Sequence, residues 1–370
     1  MKFTCKKNDF SEGINIALKA VAGKSTVPTL ECVAIEALEN QIKLTSNNIE
    51  LGIETILDCN IMEKGSVLVN AKMLAEIVRK LPEEDVYFES DDKNNVIIKC
   101  GKANFNISGL DSSEFSFLPN IEKKNKVVMS QFTLKEMIRQ TIFSTSDNES
   151  NRILTGELFE IRGKQFQVTS LDLYRVSIRK VELKEEYGNV KVIIPGKTLS
   201  EISKILSGNM DEEVHIYFST NHVLFEFENT LVVSRLIEGN YYDINKMLSN
   251  DYETKIKINK MDLLGSIDRA TLLLRESEKK PVVMTIHEDN VHLEMNTKIG
   301  SMDENILIEK EGKNMIFAFN PKFLIDVLRV IDDEETYIYM INSKAPCFIK
   351  NKEETYIYMI LPVNLSSVNS

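Results

Sequence analysis

The residues that could carry chemistry in this 370-residue chain are four histidines, five cysteines and 56 acidic side chains, and their spacing organises none of them into a reactive site. His215, His222, His287 and His292 have no Cys, His or Asp partner at metal-ligand spacing, so no metal is expected. Cys5, Cys32, Cys59, Cys100 and Cys347 are odd in number and scattered, the usage of reduced thiols in a cytoplasm rather than of a disulfide framework. Gly196-Lys197-Thr198 and Gly23-Lys24-Ser25 approach a phosphate-binding loop, but Lys191 and Leu18 stand where such a loop needs its first glycine. There is no Gly-x-Ser-x-Gly elbow, and nothing selects two carboxylates as an acid/base pair. The expectation is a protein with no catalytic residue and no cofactor.

Basic residues are more regular. Lys72 and Arg79, Lys197 and Lys204, and Lys322 and Arg329 are each seven apart, nearly two helical turns, so each pair shares one face. A single amphipathic helix carries surface lysines by default. Recurrence at one offset in three helices points instead to a shared basic surface, of the kind that faces duplex phosphates. The net charge of -11 argues against nucleic-acid binding unless the basic residues are segregated in this way. Lys19, Arg139 and Arg269 sit on three weaker helical segments.

The elements that would position these pairs repeat. Val192-Ile193-Ile194 reads as a strand closed by Pro195-Gly196, and Leu199, Ile202, Ile205 and Leu206 then mark one helical face. Val214, Ile216 and Phe218, then Val223, Phe225 and Phe227, alternate as strands, and Leu231–Leu236 adds a third. The same order of strand, helix and three strands starts at Val67 and Ile316, with weaker helices at about Asp9–Val21, Thr133–Ser144 and Lys260–Leu274. Six half-units recurring about every 60 residues indicate a duplicated domain half rather than a solenoid. The reading is an α+β fold of three similar domains, 1–121, 122–250 and 251–370, each a duplicated strand-helix-three-strand unit with enough apolar content (43%) for its own core.

No stretch approaches the roughly 18 apolar residues of a membrane span, and Met1-Lys2-Phe3-Thr4-Cys5 does not open a signal peptide. Polar stretches at Pro119–Lys126 and Leu248–Asp251 read as linkers. Glu-Glu-Thr-Tyr-Ile-Tyr-Met-Ile occurs twice, at Glu334–Ile341 and Glu353–Ile360, both times as a strand pattern.

Taken with the half-unit repeat, a series of short motifs resembles the bacterial DNA polymerase III beta subunit family, the beta sliding clamps. They are Met1-Lys2-Phe3, Pro28-Thr29-Leu30, Leu44–Glu50, Leu154-Thr155-Gly156, Ser170–Ser177, Glu238–Asp243, Phe319-Asn320-Pro321 and Leu361–Leu365. The resemblance spans essentially the whole chain. It implies the DNA clamp fold and a head-to-tail homodimer closing into a ring, helices inside and sheets outside. Such a ring encircles duplex DNA without sequence preference and has no catalysis of its own. It implies as partners the DNA polymerase III alpha subunit, a clamp loader and other clamp-motif proteins, in the cytoplasm and away from membranes.

By the same resemblance, the DNA-facing residues would be Lys24, Lys72, Arg79, Lys197, Lys204, Lys322 and Arg329. A pocket for short peptides carrying a glutamine and large apolar residues would be lined by Leu154, Leu171, Leu173, Tyr174, Arg175, Val176, Tyr242, Lys246, Met247, Met359, Leu361, Pro362 and Val363. Leu171, Leu173, Tyr174 and Tyr242 depart from the Thr, Gly, His and Pro common in the family, which alters the peptide preference. Phe105 and Ile107, on an edge strand, would meet Leu272 and Leu273, at a helix end, across the ring interface. Two rival classes make different demands. A scaffold without a nucleic-acid role would leave the basic faces unconverged, and an enzyme would need a pocket of convergent titratable groups.

Overall fold

In the computed structural model, residues 1–124, 126–244, 247–248, 251–275 and 280–364 are described. Six α-helices occur where the apolar spacing places them: α1 (Lys7–Ala17), α2 (Ala71–Lys80), α3 (Gln131–Arg139), α4 (Gly196–Ile205), α5 (Lys260–Thr271) and α6 (Pro321–Val330). The stronger three, α2, α4 and α6, hold the basic pairs. The weaker three end early, α1 passing into a 3-10 turn at Leu18–Ala20 and α3 being followed by another at Ile142–Ser144. An asparagine starts several of them. Asn70 accepts from the Met73 amide at 3.0 Å, Asn259 from Met261 at 2.9 Å, and Asn320 from Lys322 at 3.1 Å, with Pro321 in the first turn. Such caps each contribute about 1 kcal/mol and fix where the basic residues of the helix begin.

By contacts the chain divides into two compact units, Met1–Lys135 with Lys197–Leu236, and Glu136–Gly196 with the chain from Ile237 onward. The first holds two antiparallel sheets. One has five strands, in the order Asn60–Glu63, Lys2–Lys6, Asp85–Ser90, Asn95–Cys100, Ala103–Ser108. The other has eight, running from Val127–Ser130 to Gly65–Asn70. One core joins both sheets to α1 and α2, with Phe3 stacked on Phe88 at 4.9 Å and Phe10 edge-on to each. Strand Leu51–Asp58 pairs with the distant Thr230–Arg235, where the hydroxyls of Thr55 and Thr230 meet at 2.9 Å, so the eight-stranded sheet is continuous.

The second unit holds a ten-stranded sheet made continuous in the same way, by Arg175–Pro195 pairing with Tyr356–Ile360. Its strand Gly300–Gly312 serves two neighbours, residues 300–307 pairing with Asn290–Thr297 and 308–312 with Thr254–Asn259. In one respect the half-unit reading is corrected. Gly156–Leu171 and Arg175–Pro195 form one long ribbon, from Leu171 opposite Val176 to Gly156 opposite Pro195. The run Val192–Ile194 is therefore the end of a 21-residue strand rather than a separate one. The irregularity of that ribbon is absorbed around Gly163, at φ +60°, a conformation that favours glycine.

The duplicated octapeptide forms both neighbours of strand Cys347–Lys350, and its two copies face opposite ways. In the first, Ile338 and Met340 enter the core under α5 and α6. In the second, Tyr356, Tyr358 and Ile360 enter that core, while Ile357 and Met359 enter the cluster on the other face. The cause is register: Ile349 pairs with Ile338 on one side and with Tyr358, not Ile357, on the other. A shift of one residue exchanges the faces of a strand.

Candidate functional site

The expected pocket residues lie in the second unit, where they divide into a floor and a rim. Leu154, Leu171, Val176 and Met359 are buried in one apolar cluster with Ile178, Ile237, Tyr241 and Phe348. Around it, Leu173 (72% exposed), Tyr174 (56%), Met247 (50%) and Tyr242 (48%) stand in solvent, an unusual concentration of large exposed apolar groups. Leu361, Pro362 and Val363 are half-buried, the Leu361 amide donating to the Tyr174 carbonyl at 2.8 Å and the Val363 amide to the Ala318 carbonyl at 2.7 Å. Lys246 lies outside the described residues.

A tight turn presents Leu173 and Tyr174. Asp172 Oδ1 accepts from the amides of Tyr174 (2.7 Å) and Arg175 (2.9 Å), and Oδ2 accepts from Arg175 Nε at 3.0 Å. Arg175, which follows this turn, is buried, at 7% exposed. It donates to Asp326 Oδ2 at 2.7 Å and to the Phe143 carbonyl, with its guanidinium 4.5 Å from the Phe323 ring centre. Such a buried cation persists because every face of it is paired. Phe323 also stacks against Tyr174, 6.2 Å between centres. Phe143, Phe323 and Asp326 were not singled out in the sequence, since α6 reads only as an amphipathic helix. The opposite rim is held by the Tyr242 hydroxyl, which accepts from Asn151 Nδ2 at 2.9 Å, and by Gly239, whose φ of +129° and closeness to Ile153 exclude a side chain.

Beneath this cluster lies a group the sequence does not betray. Glu157 is fully buried, and neither carboxyl oxygen has a hydrogen-bond partner. The nearby Thr141 hydroxyl opposes the effect of burial only weakly, since it donates to the Met137 carbonyl at 2.7 Å. Burial pushes the Glu157 carboxyl up to about 8. Burial, followed by the charge of Glu157, also raises the Tyr241 hydroxyl.

The three basic pairs are all exposed, each opposite the buried face of its helix: Leu74 and Val78 on α2, Leu199 and Ile202 on α4, Leu324 and Leu328 on α6. Lys72 Nζ donates to the Gly23 carbonyl at 2.8 Å, bringing the exposed Lys24 loop beside the start of α2. Lys204 meets Glu201 at 2.6 Å and Arg329 meets Asp268 at 3.3 Å. Arg139 and Arg269 on the weaker helices pair with Glu136 and Glu304.

Two of the sheet edges among the described residues carry or adjoin the expected interface residues. Ala103–Ser108 is the last strand of the five-stranded sheet, with Phe105 exposed and Ile107 packed on the core. Along residues 300–307, no described strand pairs with the side away from Asn290–Thr297. Leu272, at the end of α5, and Leu307 are each 80% exposed, and Leu273 packs on the core and against Gly300. Among the described residues no group of His, Cys, Asp and Glu could hold a metal, and no helix is long and apolar enough to cross a membrane.

Family models of the DNA polymerase III beta subunit match in turn: the N-terminal domain at residues 1–119, the central domain at 128–243 and the C-terminal domain at 245–364. The beta sliding clamp of Staphylococcus epidermidis is 34% identical over 362 residues, covering 95% of this chain and 96% of its own. Among solved structures, a putative DNA polymerase III beta subunit from Eubacterium rectale is 54% identical with a TM-score of 0.95, covering 99% of this chain and all of its own. The sliding clamp of Bacillus subtilis is 33% identical with a TM-score of 0.94, covering 98% and 99%. The chain belongs to the DNA polymerase III beta subunit family, the beta sliding clamps. It has the three-domain clamp fold and is a DNA sliding clamp of the polymerase III holoenzyme, the non-catalytic subunit.

Proposed function

We propose that two copies of this chain close head to tail into a ring around duplex DNA. The contacts to DNA carry no base preference, and the apolar groove captures peptides of the polymerase III alpha subunit, the clamp loader and other clamp-motif proteins in the cytoplasm. The domains would be 1–121, 122–250 and 251–370. The observation that carries this is the pattern of sheet continuity. Sheets pass between neighbouring domains by strand pairing at Leu51–Asp58 with Thr230–Arg235, and at Arg175–Pro195 with Tyr356–Ile360. The edges at Ala103–Ser108 and 300–307 are left without a partner, with Phe105 and Leu272 exposed beside them. Unpaired edges with apolar neighbours are what a heterologous, closing interface uses.

Replacing Leu272 by Asp should give a folded monomer, because Leu272 is 80% exposed and contributes almost nothing to the core of its own chain. Sedimentation tests this; an unchanged dimer would reject the interface.

For the groove, the Tyr174→Ala, Leu361→Ala double variant should bind a clamp-motif peptide at least about 30-fold more weakly, the loss of about 2 kcal/mol that apolar anchors typically carry. The dimer should persist. Fluorescence polarisation with a labelled peptide reads the effect, and wild-type affinity would place the peptide elsewhere.

A further inference from the structure

Five free cysteines remain outside the clamp reading, and two of them form a pair. Cys5 lies in strand Lys2–Lys6, while Cys59 is the one residue between Leu51–Asp58 of the eight-stranded sheet and Asn60–Glu63 of the five-stranded sheet. Thr4 is paired with Asn60, so the next step of the antiparallel register sets Cys5 across from Cys59. Opposed residues of such a pair have Cα atoms about 4.5–5.5 Å apart, within the span of a disulfide. The Cys5 thiol reaches the Asp58 carbonyl at 4.0 Å, and both side chains pack on the same core. The other thiols are occupied differently: Cys32 donates to the Pro28 carbonyl at 3.5 Å, Cys100 to the Pro82 carbonyl at 3.5 Å, and Cys347 is fully buried in the second unit.

We propose that Cys5 and Cys59 are an oxidisable dithiol, converted by a low-molecular-weight disulfide into a cross-strand bond that ties the first strand to the corner where the chain passes between two sheets. Cys59 is the partly exposed member and reacts first. It gives its proton to water, and its thiolate attacks one sulfur of the oxidant, forming a mixed disulfide and expelling one thiolate, which takes up a proton. Cys5 then loses its proton and attacks the Cys59 sulfur, expelling the second thiol. The two protein thiols lose two electrons and two protons, and one small disulfide becomes two small thiols. Contact with the Cys5 thiol, followed by burial, holds the Cys59 thiol well above the ordinary range. Thiolate is therefore scarce at neutral pH, and exchange at Cys59 is slow there. Once formed, the bond closes a long loop and restricts the unfolded chain.

The test exposes the full-length reduced protein to oxidised glutathione between pH 7 and 9, traps remaining thiols by alkylation and maps peptides under non-reducing conditions. The expected product has lost two hydrogen atoms, links the Cys5 and Cys59 peptides, and is returned by dithiothreitol. Its rate of formation should rise about tenfold per pH unit, and its thermal midpoint should lie about 5 °C or more above that of the reduced protein. Cys59→Ser should give no such product. A persistent glutathione adduct on Cys59 with Cys5 still alkylated, a linkage through Cys32, Cys100 or Cys347, or no product at pH 9 would each overturn the proposal. The wild-type mapping decides this even if a variant folds poorly.

Discussion

Replacing Lys72, Arg79, Lys197, Lys204, Lys322 and Arg329 together with glutamate should leave folding and dimerisation intact and reduce the amount of ring that a clamp loader places on nicked circular DNA by at least about 100-fold. The protein carries net charge -11, so its average field repels phosphate. Duplex DNA can be held only where the local field is positive, and these six exposed residues on three helices are the ones proposed to supply it. All six are exposed, and the ion pairs of Lys204 and Arg329 are surface pairs worth about 0–1 kcal/mol, so the fold has little to lose. Each phosphate contact contributes about 0.9 to the slope of log affinity against log salt, so the slope should fall by about 5. Lysine and arginine reaching phosphates carry no sequence information, which suits a protein that must slide. Loading and salt slope like those of the wild type would mean that these helices do not face DNA.

The second large effect concerns Glu157. The folded chain keeps a proton on this carboxyl up to about pH 8, whereas in an unfolded chain it leaves near pH 4.3. Between those values the unfolded state binds fewer protons, so stability falls as pH rises through the window and levels off above it. The full difference is about 5 kcal/mol, an upper bound since the site can relax or admit water. Glu157→Gln removes the titration while keeping the shape. The variant should match the wild type near pH 5 and exceed it by a few kcal/mol at pH 9. Urea unfolding at both pH values measures this. The same pH dependence in the variant would mean that Glu157 ionises freely in the fold.

These two sites were unequally legible in the sequence. The basic pairs could be read because helical periodicity fixes which residues share a face, and the asparagine caps at Asn70 and Asn320 fix where α2 and α6 begin. Glu157 could not: it stands in a mixed strand, where a carboxylate ordinarily marks a solvated position, yet the fold buries it completely. The inward course of Arg175 is illegible for a related reason. Its neighbours Leu173 and Tyr174 are in a turn, but Asp326 and Phe323 come from a helix some 150 residues away and draw its side chain inward. The repeated octapeptide marks the limit of strand reading, since identical residues take opposite faces according to the strand beside them. The groove itself is a property of that ten-stranded sheet, because Val176 and Met359 become neighbours only through the pairing of Arg175–Pro195 with Tyr356–Ile360.

Encirclement of DNA is a topological property, and one measurement addresses it directly. The protein is placed on nicked circular DNA by a clamp loader with ATP, separated from free protein, and its retention is followed before and after a restriction enzyme linearises the circle. A closed ring around the duplex should stay on the circle through the separation and be lost soon after cutting, by sliding off the new ends. Equal retention on circle and line would contradict encirclement and leave an ordinary surface binder in its place.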